Sequence, residues 1–185
     1  MKRVQRFPRD EVLAAALLIA LIFGVVEISQ AEPAVRRTTL IVADAAKSID
    51  FYERLGFTKW YDRANARKPE LSTLPLNADS THSRLVIMKG RDPWIAMIGL
   101  LEFTEPSPAP VKSDATLGTG DMILMLEVDD AARSYDKLRE IGAPIEGELE
   151  AYDVVAGDGH KLRGQLFYVR DPDGRLLEVT DPEEE

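Results

Sequence analysis

Cysteine is missing from this chain of 185 residues, and histidine occurs only twice. The missing cysteine excludes disulfides, thiolate zinc sites and cysteine nucleophiles. Basic residues are fewer than acidic ones: the formal net charge of −9 and the pI near 4.9 argue against nucleic acid as a partner. No phosphate-binding loop or dinucleotide-binding fingerprint is present. What remains is an acidic chain with an apolar share of 45 %, which is typical of a globular protein.

The N-terminal segment, residues 1–31, has the pattern of a secretory signal peptide. Basic residues at the start precede an uncharged apolar run over residues 12–26, and Ser29 and Ala31 supply small side chains before a cleavage site. The run is shorter than the roughly 20 residues that a membrane-spanning helix needs. We therefore predict that residues 32–185 form a periplasmic or secreted protein. The alternative is an uncleaved membrane anchor formed by residues 12–26.

One segment occurs twice, 86 positions apart: residues 42–56 match residues 128–142 without a gap. Residues before each copy alternate between apolar and polar, which predicts a strand. Asp44 and Asp130 then stand where a helix N-cap belongs, and apolar residues follow in steps of three and four. The helices are predicted over residues 44–55 and 130–141, each ending before a glycine. Because one unit buries its apolar face only against another, the two copies indicate a paired structure.

The rest of each half predicts three further strands. They cover residues 57–61, 84–88 and 94–103 in the first half, and 144–151, 164–170 and 176–180 in the second. Polar loops are predicted at 62–82 and 153–163, a proline-rich linker at 104–119, and a disordered acidic tail at 181–185. The fold class is therefore α+β. Module one (35–103) and module two (120–181) are both βαβββ, and they pair into a curved sheet around a central cavity.

Several motifs make the chain resemble the vicinal oxygen chelate superfamily, which contains glyoxalases, bleomycin-resistance proteins and extradiol dioxygenases. The motifs are Val42-Ala43-Asp44, Phe51-Tyr52 and Leu55-Gly56-Phe57 in module one, and Asp171-Pro172-Asp173-Gly174 followed by Leu176-Leu177-Glu178 in module two. The resemblance implies the paired-module fold. It also allows the modules to pair within one chain or between two copies, so a homodimer is compatible with it.

The resemblance further implies a divalent metal held by His, Gln or Glu on the first and last strands of each module. In this sequence, the four ligand positions that the resemblance implies fall on Arg37, Gly99, Ile123 and Glu178. Arginine, glycine and isoleucine do not bind a metal. We therefore predict no cofactor, and Glu178 is the remaining candidate ligand if a divalent metal binds.

Strand alternation places a set of side chains on the cavity face of the predicted sheets. The predicted ligand-binding residues are Arg37, Thr39, Met125, Glu127, Tyr152 and Glu178. Arg37 would bind a carboxylate or phenolate, and Glu178 would orient the ligand or act as a base. The alternative of equal weight is a plain ion pair between Arg37 and Glu178. His160 is a third catalytic candidate, although a histidine in a loop is more often simply solvated.

Two functions fit these residues. The first is an exported protein that binds a small, partly apolar or aromatic molecule in the cavity between the modules, with the metal site of the superfamily lost. The alternative is a metal-dependent lyase, isomerase or dioxygenase of glyoxalase type that uses an altered site. Whether the protein is an enzyme therefore stays open at this point, as does the identity of its ligand.

Overall fold

The computed structural model describes residues 34–110 and 116–184. The predicted signal peptide lies outside these residues. The helices are α1 (Ala45–Arg54) and α2 (Ala131–Glu140), and a 3-10 turn covers Pro69–Leu71. The strands are β1 (Arg37–Val42), β2 (Thr58–Ala66), β3 (His82–Lys89), β4 (Met97–Thr104), β5 (Leu124–Glu127), β6 (Ile145–Val155), β7 (Lys161–Arg170), β8 (Leu176–Thr180) and β9 (Glu183–Glu184). Among these elements, neither helix has the length and apolar character needed to cross a bilayer.

The strands form two sheets with the same topology. The first has the order β1-β4-β3-β2 and the second has the order β5-β8-β7-β6, with β9 added at the start of β7. In each sheet the first strand runs parallel to the last, and the other pairs are antiparallel. The predicted α+β class with two βαβββ modules is confirmed.

Both helices begin at the aspartates that the repeat predicted. Asp44 accepts hydrogen bonds from two amides in the first turn of α1, at 2.9 and 3.1 Å, and Asp130 accepts one from the first turn of α2 at 2.7 Å. A second carboxylate from the end of each sheet reaches the same place. Glu102 accepts from the amide of Ala45 at 3.3 Å, and Asp181 accepts from the amide of Ala131 at 2.9 Å. Each helix therefore starts against two carboxylates, which satisfy its free amides.

The C-terminal segment differs from its prediction. Asp181 also accepts a hydrogen bond from the amide of Gln165 at 2.6 Å, and β9 pairs with Leu162 and Arg163 at the start of β7. The prediction of a disordered tail was wrong, because backbone pairing to β7 holds residues that are too acidic to suggest a strand on their own.

The core lies on the helix-covered faces of the two sheets. Both helices and both sheets contribute to one continuous cluster of buried apolar side chains, which includes Leu40, Tyr52, Leu100, Leu126, Leu138 and Phe167. The described residues from Val35 onward therefore form one compact unit. Burial of a leucine or phenylalanine side chain is worth about 1.5–3 kcal/mol, so this shared cluster is the main source of stability.

Strand β4 starts three residues later than predicted because of a local turn. The carboxylate of Asp92 accepts hydrogen bonds from the amides of Trp94 and Ile95, at 2.7 and 2.9 Å. These bonds hold both residues in a turn, where their amides cannot pair with a neighbouring strand. Trp94 instead packs against Trp60, with ring centroids 6.0 Å apart.

Candidate functional site

The open face of each sheet, opposite the helix, carries the predicted ligand-binding residues. In β1, Leu40 and Val42 are buried in the core, and Arg37, Thr39 and Ile41 alternate with them on the other side. The same alternation in module two sets the predicted residues Met125, Glu127 and Glu178 against the core residues Leu126, Leu177 and Val179. The hydroxyl of Tyr152 lies 3.0 Å from that of Thr180.

Arg37 is exposed, and its side chain lies along the face of the sheet. Its Nε donates to the hydroxyl of Thr39 at 3.0 Å. Its Cδ lies only 3.0 Å from where a Cβ on Gly99 would stand, so the glycine leaves room for the arginine side chain. Among the described residues, no carboxylate lies within 4.0 Å of the guanidinium, which means that the predicted ion pair with Glu178 is not formed.

Glu178 has a different partner, which the sequence did not single out as a ligand-binding residue. Its carboxylate accepts a hydrogen bond from the hydroxyl of Tyr168 at 3.1 Å. The two residues face each other in the β7–β8 register. Burial, followed by this hydrogen bond, raises the pKa of Tyr168, so the phenol remains a proton donor to the glutamate. Strand alternation across β7 and β8 is the signal that predicts this pair.

Other predicted site residues already have partners. Glu127 forms an ion pair with Arg91 at 2.9 Å. Tyr152 crosses Gly164, where an added Cβ would come within 2.8 Å of the tyrosine hydroxyl. His160 lies in the turn between β6 and β7 and pairs with the carboxylate of Asp158. These contacts occupy the side chains locally, and His160 lies in a turn rather than on the open face of a sheet.

The four positions implied for a metal do not offer a divalent cation its ligands. Gly99 pairs with Thr39 in the register of β1 and β4, and Glu178 pairs with Met125 in that of β5 and β8. These neighbours add only the hydroxyl of Thr39 and the thioether of Met125 to the single carboxylate of Glu178. Beside a guanidinium, these groups are a poor donor set for a divalent metal ion. The described part of the chain holds no group of three or more His, Asp or Glu side chains placed to bind a metal. A metal-dependent step therefore has no support in these side chains.

A cavity of about 740 Å³ lies where the two modules and the linker meet. Its apolar walls include Ile41 and Phe103 from module one, Met122 and Leu176 from module two, and Pro108 from the linker. This volume is within the range of about 300–1,000 Å³ that is usual for small-molecule sites. Ile41 joins the cavity to the open face of β1, because it follows Arg37 and Thr39 on the same side of the strand.

The two arginines that line this cavity are paired with carboxylates, and the carboxylate of the lining residue Asp121 accepts a hydrogen bond from the amide of Gly118 at 2.6 Å. Arg175 binds the carboxylates of Asp171 and Asp173, at 3.0 and 3.4 Å, and also donates to the backbone carbonyl of Ile41. Arg170 pairs with Glu146 at 2.6 Å. The cavity therefore offers mainly apolar surface to a ligand.

Hydrogen bonds tie the long loop of module one to the linker beside the cavity. The side chain of Asn77 donates to the carbonyl of Ala109 at 3.0 Å, and the hydroxyl of Ser80 donates to the carbonyl of Pro106 at 2.6 Å. Both Asn77 and Ala109 line the cavity. The sequence predicted the loop and the linker separately, but it gave no signal that the two meet.

Comparison with solved structures shows the same fold. The chain is similar to the trypanothione-dependent glyoxalase I of Leishmania major, with 21 % identity, a TM-score of 0.52, and coverage of 80 % of this chain and 86 % of that one. It is also similar to a glyoxalase family protein from Bacillus cereus, with 20 % identity, a TM-score of 0.56, and coverage of 83 % and 99 %. At these identities the likeness is one of fold.

A search of curated proteins gives no match. The family model of the Glyoxalase/Bleomycin resistance protein/Dioxygenase superfamily, however, matches residues 34–179, which include both modules and the linker between them. Together with the paired βαβββ modules, this match identifies the chain as a member of that superfamily.

Proposed function

We propose that this protein binds a small, partly apolar or aromatic molecule in the cavity between its two modules. The observation that carries the proposal is the cavity of about 740 Å³, with apolar walls from both modules and the linker. Because Arg170 and Arg175 are already paired with carboxylates, the cavity favours an apolar ligand body over an anionic one. The homodimer stays a prediction.

A binding screen with a cavity-filling variant tests this proposal. Aromatic and aliphatic fragments are screened by saturation-transfer NMR against the wild-type protein and against Ile41→Trp, in which the larger side chain occupies the cavity. Val154→Trp is the matched control, because Ile41 and Val154 are both β-branched strand residues with exposed fractions of 38 % and 48 %. We expect fragments that bind the wild type and Val154→Trp but not Ile41→Trp. If every hit binds all three proteins equally, the cavity is not the binding site.

We also propose that binding is independent of a metal. The donor set at Arg37, Gly99, Ile123 and Glu178 supports this part of the proposal. Elemental analysis of the purified protein tests it, with Glu178→Ala as the comparison. A stoichiometric metal that is lost in Glu178→Ala would overturn it.

A second candidate function is a lyase or isomerase of glyoxalase type, and the Tyr168–Glu178 pair favours it. Glu178 is a half-buried carboxylate with a phenol at 3.1 Å, so it has the chemistry of a general base with a neighbouring proton donor. Turnover of methylglyoxal hemithioacetal, measured with and without added nickel or iron, tests this candidate. We expect any true activity to fall in both Glu178→Gln and Tyr168→Phe, and activity that survives both changes contradicts it.

Export is the last part of the proposal, and it is supported by the pattern of residues 1–31. N-terminal sequencing of the protein recovered from a periplasmic or secreted fraction tests it. We expect a chain that starts at Glu32. A chain that retains residues 1–31 in the membrane fraction would favour the anchor instead.

A further inference from the structure

We propose that the ligand of this cavity is an organic acid with an apolar body, whose carboxylate binds Arg37 and Thr39 while its body enters the cavity. The inference rests on the proposed binding function and adds a chemical class to it. It comes from the position of one arginine relative to the cavity wall.

The side chain of Arg37 turns toward the cavity end of β1. Its Nε is held at the hydroxyl of Thr39, 3.0 Å away, and its Cδ lies over Gly99, the register partner of Thr39. Ile41, which lines the cavity, is two residues further along the same face. With a rise of about 3.3 Å per residue, the head of the arginine lies roughly 7 Å from the cavity wall. An acid with one aromatic ring or a short alkyl chain spans that distance.

The guanidinium has hydrogen-bond donors to offer. One of its five N–H groups is used by Thr39, and no carboxylate in the described chain lies within 4.0 Å. The hydroxyl of Thr39 accepts this bond, so its own hydrogen is available for a ligand. Arginine binds carboxylates through two parallel hydrogen bonds, and the threonine hydroxyl adds a third donor.

The other cations near the cavity do not compete for the acid. Arg175 is bound to two carboxylates and a carbonyl oxygen, and Arg170 is bound to Glu146. An incoming carboxylate would have to displace these partners. The anion is therefore expected at Arg37 and the uncharged body in the cavity.

Matched acids and alcohols test the inference by titration calorimetry on the wild-type protein. The pairs are indole-3-acetate with indole-3-ethanol, 3-phenylpropionate with 3-phenylpropan-1-ol, and octanoate with octan-1-ol. A charge-assisted contact of this kind should make an acid bind about ten- to a hundredfold more tightly than its alcohol. The advantage should shrink as sodium chloride is raised, because salt screens exposed charges.

Two arginine variants distinguish the outcomes. Arg37→Met should remove the preference for the acid and leave alcohol binding unchanged, whereas Arg63→Met, an exposed arginine in β2 of the same sheet, should change neither. If acids and alcohols bind equally, or if Arg37→Met leaves the preference intact, the inference is overturned while the cavity remains a binding site. If no compound binds and the fragment screen is also negative, the proposed function itself falls.

Discussion

At the scale of single residues, a buried hydrogen bond joins the two modules. The hydroxyl of Tyr52 in α1 donates to the carboxylate of Asp171 in the β7–β8 turn at 3.2 Å, and the side chains of Tyr52 and Asp171 are 0 % and 2 % exposed. Burial first, and then the neighbouring Asp171, raises the pKa of Tyr52, so the phenol stays protonated and can donate.

Tyr52→Phe should therefore destabilise the protein. The change leaves a buried carboxylate with one donor fewer, and the free energy of unfolding should fall by about 1–3 kcal/mol. Tyr61→Phe is the matched control, since Tyr61 is 39 % exposed, and a surface change of this kind stays within about 0.5 kcal/mol. Urea denaturation compares the two variants, and equal midpoints would contradict the structural role of Tyr52.

Asp62 provides a residue-scale prediction about pH. The hydrogen bond from Arg84, at 2.9 Å, lowers the pKa of Asp62 to about 2. Because the unfolded chain takes up this proton at a higher pH, of about 4, the stabilisation is present above that value and is lost as the pH falls toward 2. NMR titration of the Asp62 carboxyl carbon should give a midpoint near 2 in the wild type. In Arg84→Met the midpoint should move up toward the ordinary range, and an unchanged midpoint would contradict the assignment.

At the scale of elements, the paired carboxylates at the start of each helix lead to a third prediction. Asp181 accepts from the first amide of α2 at 2.9 Å and from the amide of Gln165 at 2.6 Å, so it joins the helix to β7. Asp181→Ala should lower the free energy of unfolding by about 1–2 kcal/mol, as loss of a helix cap does. Glu102→Ala should have a smaller effect, because its bond to α1 is longer at 3.3 Å. Thermal denaturation ranks the two variants, and the reverse order would contradict this account.

The elements also show how far local sequence carries a prediction. The helices, their aspartate caps and their terminal glycines follow from residues that are neighbours in the chain, and all of these were predicted. The second carboxylates, Glu102 and Asp181, lie 57 and 50 positions from the amides that they bind. Strand β2 extends to Ala66 through exposed polar residues, where no alternation marks a strand. Contacts of this kind depend on the assembled fold.

The same limit holds for the candidate site. Alternation in β1, β5 and β8 predicted which face carries Arg37, Thr39, Met125 and Glu178, because the face of a strand is a local property. The direction of the Arg37 side chain depends instead on Gly99 in the neighbouring strand β4, where an added Cβ would come within 3.0 Å of the arginine Cδ. The walls that the linker gives the cavity depend on contacts such as Asn77 with Ala109. Neither could be predicted from a single sequence.

At the scale of the whole molecule, the continuous core predicts that the two modules unfold together. Side chains of both modules belong to one buried cluster, so separating the modules would expose apolar surface on each. Both tryptophans, Trp60 and Trp94, lie in module one, whereas the strands and helices of both modules contribute to the circular dichroism signal. In urea, tryptophan fluorescence and circular dichroism should therefore give the same midpoint and the same slope.

Asp171→Asn weakens the buried contact between the modules, and it should lower both midpoints equally. Arg91→Ala, which removes an exposed ion pair to Glu127, should leave both almost unchanged. A fluorescence transition that separates from the circular dichroism transition would mean that module one unfolds alone, and that the shared core does not couple the two halves.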